Sequence, residues 1–213
     1  MSQANLHLGD WAETPLTPVQ LDTDGPVVWC KLEFLHPGGS TKDRIANYIL
    51  TKACRSGELK PGGWVVEASS GSTSIAMAMV CAQLGLRFVA VMPEGVSNER
   101  SLIIRAYGGE VRYAPKGGGM VGCLELARKI AKERGGFLPR QFENADNAAA
   151  HRFGTAIEVI RQVPGQFVDA VVAGVGTGGT LVGLYHGLRD HGCAAKPYAA
   201  RPIATQPGGL AAG

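Results

Sequence analysis

Short, mostly apolar runs alternate along this chain with longer segments in which apolar positions recur at helical spacing. VVWCKLEF (27–34), WVVEAS (64–69), RFVAVM (87–92), EVRYA (110–114) and VDAVVAGV (168–175) predict strands. Between them, helices are predicted from Lys42 to Arg55, Ser72 to Leu84, Ser97 to about Tyr107, Met120 to Arg134, Asn147 to Val163 and Gly179 to Asp190. In the Met120 helix the apolar positions are Val121, Leu124, Leu126, Ala127, Ile130 and Ala131. Ser40 stands as N-cap of the first helix with Asp43 at capping-box spacing, and Gly108-Gly109 closes the helix after Ser97. Apolar strands that alternate with helices predict parallel sheets covered on both faces, an α/β fold. From Gly192 the composition shifts to Ala, Gly and Pro; PYAARPI can still form a strand, whereas ATQPGGLAAG is a poor candidate for packed structure.

Three small-residue turns stand where parallel sheets bind ligands, at or facing the carboxyl ends of strands. AGVGTGGTLVG (173–183) leads from a strand through glycines into a helix start, which gathers backbone N–H groups and a helix dipole toward one anion. It lacks the GK[ST] ending of a Walker A loop. It also lacks the acidic residue about 20 positions on that a dinucleotide site requires. A simple strand-to-helix turn is the alternative use of those glycines. EASSGSTSIA (67–76) offers the hydroxyls of Ser69, Ser70, Ser72 and Thr73 at another helix start, suited to a carboxylate, or to N-capping alone. HPGGSTKDR (36–44) places Lys42 just inside a helix behind a Pro-Gly-Gly turn. A buried lysine amine can form a Schiff base; an exposed one is only a solvated charge. Amine, carboxylate site and phosphate site together suit pyridoxal phosphate with an amino-acid substrate.

Composition narrows the classes further. The 213 residues carry 21 basic and 18 acidic side chains, scattered without basic runs, so nucleic acid is not an expected partner. No apolar stretch approaches the roughly 20 residues of a membrane span, and no signal peptide is visible at the start. Cys30, Cys54, Cys81, Cys123 and Cys193 are dispersed and odd in number, which fits reduced thiols in a cytoplasmic protein. The five histidines show no metal-ligand spacing, so no metal is expected, and His151 is assigned to packing or capping.

These segments resemble the pyridoxal-phosphate enzymes of the tryptophan-synthase-β type, in the cysteine synthase and cystathionine β-synthase group. HPGGSTKDR resembles that family's NPTGSVKDR segment, and SSGST (69–73) its TSGNTG loop. MPEGVSNERSLIIRAYGGEV (92–111), QFENADNAAAH (141–151) and GTGGT (176–180) match further family segments in order, over about residues 12 to 190. The resemblance implies two three-layer αβα domains with central, mostly parallel sheets. Residues 36–146 would form a smaller mobile domain, and residues 1–35 plus 147–213 a larger one, with the cofactor between them. Lys42 would hold pyridoxal 5'-phosphate and move the substrate's α-proton. Gly176, Thr177, Gly178, Gly179 and Thr180 would hold the phosphate, and Ser72 would face the ring oxygen. Ser69, Ser70, Gly71, Ser72, Thr73 and Gln141 would hold the substrate carboxylate. The implied reaction is β-replacement on an activated serine such as O-acetylserine, by sulfide or another thiol, in a homodimer.

Two departures from the family pattern follow. Ser72 stands where the family loop usually has Asn, and relatives with an SSGST loop favour cysteine breakdown, so a lyase that eliminates sulfide or water is the alternative reaction. Relatives also extend beyond residue 213, so the larger domain is expected to be incomplete. A catalytically silent chain is the alternative of another class.

Overall fold

The computed structural model describes residues 12–201. They fall into two compact units: one contains Ala46–Asn144, the other Ala12–Ile45 and the chain from Ala145 onward. Helix α1 (Lys42–Ser56) begins in the second and continues into the first.

In the first unit, β3 (Trp64–Ala68), β4 (Arg87–Met92) and β5 (Glu110–Tyr113) form a parallel sheet in that order. Val65 adds a parallel bridge to Phe137. β3 and β4 are short, mostly apolar and buried, as strands covered on both faces must be, whereas β5 (EVRY) is a half-exposed edge strand. Val66, Ala68, Val89 and Val91 point to one face and pack with Cys123, Ala127, Ile130 and Ala131 of α4 (Gly119–Arg134). That is the apolar stripe predicted from its spacing. Helix α2 (Ser72–Leu84) packs on β3 and β4, and α3 (Asn98–Ala106) on β5. Gly85 and Gly135 end α2 and α4 in the left-handed conformation, which glycine adopts without a Cβ clash.

In the second unit, β6 (Ala170–Gly174) and β7 (Lys196–Ala200) pair in parallel, with α7 (Gly179–Asp190) as the crossover. The 27–34 strand differs from expectation. It is shorter, β2 (Val27–Lys31), and pairs antiparallel with β1 (Leu16–Gln20). The intervening turn is held by Gln20 Nε2, which donates to the carbonyls of Thr23 and Gly25. TPVQ, broken by Pro18, carries little strand signal.

The predicted Asn147–Val163 helix is three joined pieces: α5 (Asp146–Ala150), a π-helical turn over His151–Thr155, and α6 (Ala156–Gln162). It lies against a glycine stripe on α7. A Cβ on Gly183 would sit 2.3 Å from the Ala148 carbonyl oxygen, and one on Gly187 2.6 Å from that of Arg152. Glycine at both positions therefore lets the two backbones touch. No helix among the described residues is long and apolar enough to cross a membrane.

Candidate active site

The second unit holds the lysine and the glycine loop. Helix α1 starts one residue later than a Ser40 N-cap requires, and the capping box is replaced by another arrangement. Ser40 Oγ accepts from Lys42 N at 3.3 Å, while Asp43 Oδ2 accepts from Gly38 N at 2.5 Å. Asp43 is fully buried and its carboxyl is pushed up, first by burial. A Cβ on Gly38 would lie 2.4 Å from Asp43 Oδ1, so this glycine is required by the carboxylate that folds back over it. Burial lowers the Lys42 amine below its usual range, toward the neutral, nucleophilic form.

Arg44, two residues on, anchors this helix start. Its guanidinium meets Glu33 through Nε at 2.6 Å and Nη2 at 2.8 Å, and Glu158 through Nη1 at 2.6 Å and Nη2 at 2.8 Å. Lys31 Nζ adds a second cation at 2.7 Å from Glu158 Oε2. Against the cost of burial, these bonds hold Glu33 far below, and Glu158 below, the ordinary carboxylate range, and raise Arg44. Sequence reading passed over this cluster. Glu158 lies 114 positions from Arg44 and Glu33 11, and the turn after β2 and α6 bring them to it.

Gly176–Thr180 joins β6 to α7. Gly178 has φ +83°, and an added Cβ on Gly176 or Gly178 would meet nothing within 4 Å. The glycines here leave open space over backbone rather than serve close packing. Gly179 is different: a Cβ there would strike Asn147 Oδ1 at 2.0 Å. Asn147 Nδ2 donates to Thr177 Oγ1 at 2.8 Å, and that oxygen also accepts from Gly179 N at 3.4 Å. Thr180 Oγ1 lies 3.1 Å from His151 Nε2, and His151 Nδ1 lies 2.9 Å from Thr155 Oγ1. His151 is wholly buried and its pKa falls to about 3, through burial first and the Arg44 charge next, so the imidazole is neutral. The packing assigned to His151 from sequence is incomplete: it also supports the glycine loop. A buried, neutral imidazole at a π-helical turn is a structural signal that single-sequence reading does not carry.

The first unit holds the hydroxyl loop. Ser69 Oγ accepts from Gly71 N at 3.2 Å and Ser74 N at 3.1 Å and shares a 2.6 Å bond with Ser74 Oγ. Ser69 is thus buried as the loop's internal cap, while Ser72 is exposed. Thr73 Oγ1 donates to Gln141 Oε1 at 2.7 Å, and Gln141 Nε2 donates to Ala68 O at 3.0 Å. The structure therefore brings together Thr73 and Gln141, which are 68 positions apart. Beneath them Glu67 Oε1 accepts from Ala68 N at 3.0 Å and Oε2 from Gln141 N at 3.4 Å. Burial raises the Glu67 carboxyl to about 8 despite these bonds. Ser70 O accepts from Arg100 Nη1 at 2.7 Å.

An amine held toward neutrality and a glycine cradle open at a helix start fit an aldehyde cofactor that carries a phosphate. The profile of the family described as pyridoxal-phosphate dependent enzymes matches residues 8–212. The chain belongs to that family. It is 43% identical to a cysteine synthase of Staphylococcus aureus over 173 residues, 80% of this chain and 56% of that protein. Among solved structures, an O-ureido-L-serine synthase is similar at 42% identity and TM-score 0.78, covering 84% of this chain and 57% of the other. A hydrogen sulfide-producing enzyme of Fusobacterium nucleatum is similar at 35% identity and TM-score 0.84, covering 91% and 60%. The chain thus spans just over half the length of these relatives. Their likeness fits the mixed α/β architecture with parallel sheets, and pyridoxal phosphate is the family's cofactor.

Proposed function

We propose that this protein catalyses β-replacement on an activated serine of the O-acetylserine kind, with sulfide or a related thiol as nucleophile and L-cysteine as product. The observation that carries the reading is the presence, within one unit, of Lys42, whose pKa burial lowers, and the open Gly176–Thr180 loop at the start of α7. Lys42 holds the cofactor through its amine and moves the proton at the substrate's Cα. Gly176, Thr177, Gly178, Gly179 and Thr180 hold the phosphate, with the Thr177 and Thr180 hydroxyls oriented by Asn147 and His151. Ser69, Ser70, Gly71, Ser72, Thr73 and Gln141 form the carboxylate-binding set, in which Ser69 and Gln141 act as supports for Thr73 and the loop amides. Ser72, exposed and shorter than Asn, is the hydroxyl that would serve the cofactor's ring oxygen. When bound, pyridoxal phosphate withdraws electron density from the substrate's Cα, and the protein positions and protonates.

Elimination of sulfide or water from cysteine or serine is the second reading, favoured by Ser72 and by the similarity to a hydrogen sulfide-producing enzyme. Product analysis with O-acetylserine, with and without added sulfide, separates the two. Cysteine formed only with sulfide supports replacement, and pyruvate with sulfide release from cysteine supports the lyase. Absence of visible absorbance after addition of pyridoxal phosphate would overturn both and leave a catalytically silent chain. A homodimer and a cytoplasmic setting complete the proposal. The setting draws on five cysteines that are all free thiols.

A further inference from the structure

We propose that Arg100 sharpens the hydroxyl loop's selectivity for an anionic substrate end, a positioning and charge role that no motif match assigns. The inference rests on the carboxylate reading of the loop given above.

Three observations of the first unit carry it. Arg100, third residue of α3, donates from Nη1 to the Ser70 carbonyl at 2.7 Å, inside the loop itself. Its aliphatic stem lies against Gly71: a Cβ there would fall 2.3 Å from Arg100 Cδ and 2.9 Å from Nε. Gly71 adopts φ +147° and ψ −59°, a conformation closed to other residues, so the loop is built with a glycine where the arginine passes beneath it. Held by Arg100, the Ser70 carbonyl points toward the guanidinium, and the N–H of the same peptide, on Gly71, points to Ser69 Oγ at 3.2 Å. The remaining hydrogen bonds of the loop run to neutral partners: Thr73 to Gln141, and Ser69 to Ser74. Arg100, partly buried, thus brings a formal positive charge into contact with the loop. The hydroxyls and amides at the start of α2 already favour an anion over a carboxamide, through their donors and the helix dipole. A guanidinium fixed behind the loop favours the anion further, because Coulomb attraction in a partly desolvated site exceeds that in water.

The test uses the full chain loaded with pyridoxal phosphate, titrated with L-serine and with L-serinamide and followed by visible absorbance and thermal unfolding. R100Q keeps a donor and removes the charge; R100K keeps the charge. The expected result is about a tenfold weaker L-serine affinity in R100Q, a change under threefold in R100K, and less than a twofold change for L-serinamide in both. Cofactor affinity should stay near wild type, because Lys42 and the glycine loop belong to the other unit. Equal weakening of serine and serinamide would reduce Arg100 to a structural strut and overturn the proposal. Unchanged serine affinity in R100Q would overturn it as well. A wild-type protein that binds the cofactor but neither ligand would instead overturn the carboxylate reading on which it rests. Should R100Q fail to fold, the salt dependence of wild-type serine affinity decides: an unchanged affinity between low and high ionic strength contradicts a charge role.

Discussion

Lys42, His151 and Glu67 are each held toward the neutral form by burial, and each has a measurable consequence. For Lys42, replacement by alanine should remove the visible absorbance of the lysine-bound cofactor. Exchange of the substrate's α-proton should fall by at least a hundredfold, the usual scale for losing a positioned base. Retention of both would assign the chemistry to another lysine. For Glu67, the folded pKa of about 8 lies above the ordinary 4.5. Protons are then bound more tightly in the folded state, so its contribution is complete below about pH 4.5 and is lost as pH rises toward 8. His151 has the opposite sign. Its folded pKa of about 3 lies below 6.5, so stability is complete above 6.5 and is lost as pH falls toward 3. The two slopes oppose each other between about 4.5 and 6.5, and Glu67 alone of this pair acts between 6.5 and 8. Thermal unfolding of wild type and E67Q across this range isolates the carboxyl. E67Q should be less stable at pH 5, and the deficit should shrink as pH approaches 8. A constant deficit would mean that Glu67 is ionised throughout.

The start of α1 is held by charge and the face of α7 by shape. Arg44 is clamped between Glu33 and Glu158, with side chains only 8%, 19% and 11% exposed. Removal of one member of such a cluster strands the others in low dielectric, a cost of about 3–5 kcal/mol. R44A should lower the unfolding midpoint in denaturant accordingly, and R44K should recover only part, since one ammonium cannot meet two carboxylates bidentately. An R44A midpoint equal to wild type would show that Lys31 satisfies Glu158 and solvent Glu33. On α7, Gly183→Ala puts a methyl 2.3 Å from a backbone oxygen of Ala148, which cannot move as a side chain can. A loss of about 1–3 kcal/mol is expected, with weaker cofactor binding because His151 lies 2.6 Å from the same methyl. Undiminished stability would imply that α7 shifts freely along the helix it packs on.

At the scale of the molecule, the described strands of the second unit are poorly covered. Val172 of β6 is 67% exposed and Tyr198 of β7 53%, and Val27 and Val28 of β2 are close to half exposed. Apolar strand surface with open edges promotes pairing with a second copy. This 213-residue chain should therefore self-associate with increasing concentration in sedimentation or light scattering, and V172K should shift the equilibrium toward monomer. A monomer at all concentrations would show that other residues cover these strands.

What the amino-acid sequence determined by itself is local in origin. Strand and helix positions came from apolar period, helix ends from glycines, and the glycine, hydroxyl and lysine segments from residue types that share one turn of chain. Such features are legible because a backbone conformation depends on its near neighbours. The β1–β2 hairpin was missed because Pro18 masks a strand that exists only through its partner. Only the tertiary structure decided the rest. It put Gln141 on Thr73, Arg100 under Ser70, His151 on Thr180 and two glutamates on Arg44. It also divided the candidate residues between two units, with Lys42 and the glycine loop in one and the hydroxyl loop in the other. Neutral Glu67 and neutral His151 arise from burial, and burial is created by residues far away in sequence. Hydrogen bonds and desolvation act through space, and no spacing along the chain encodes them.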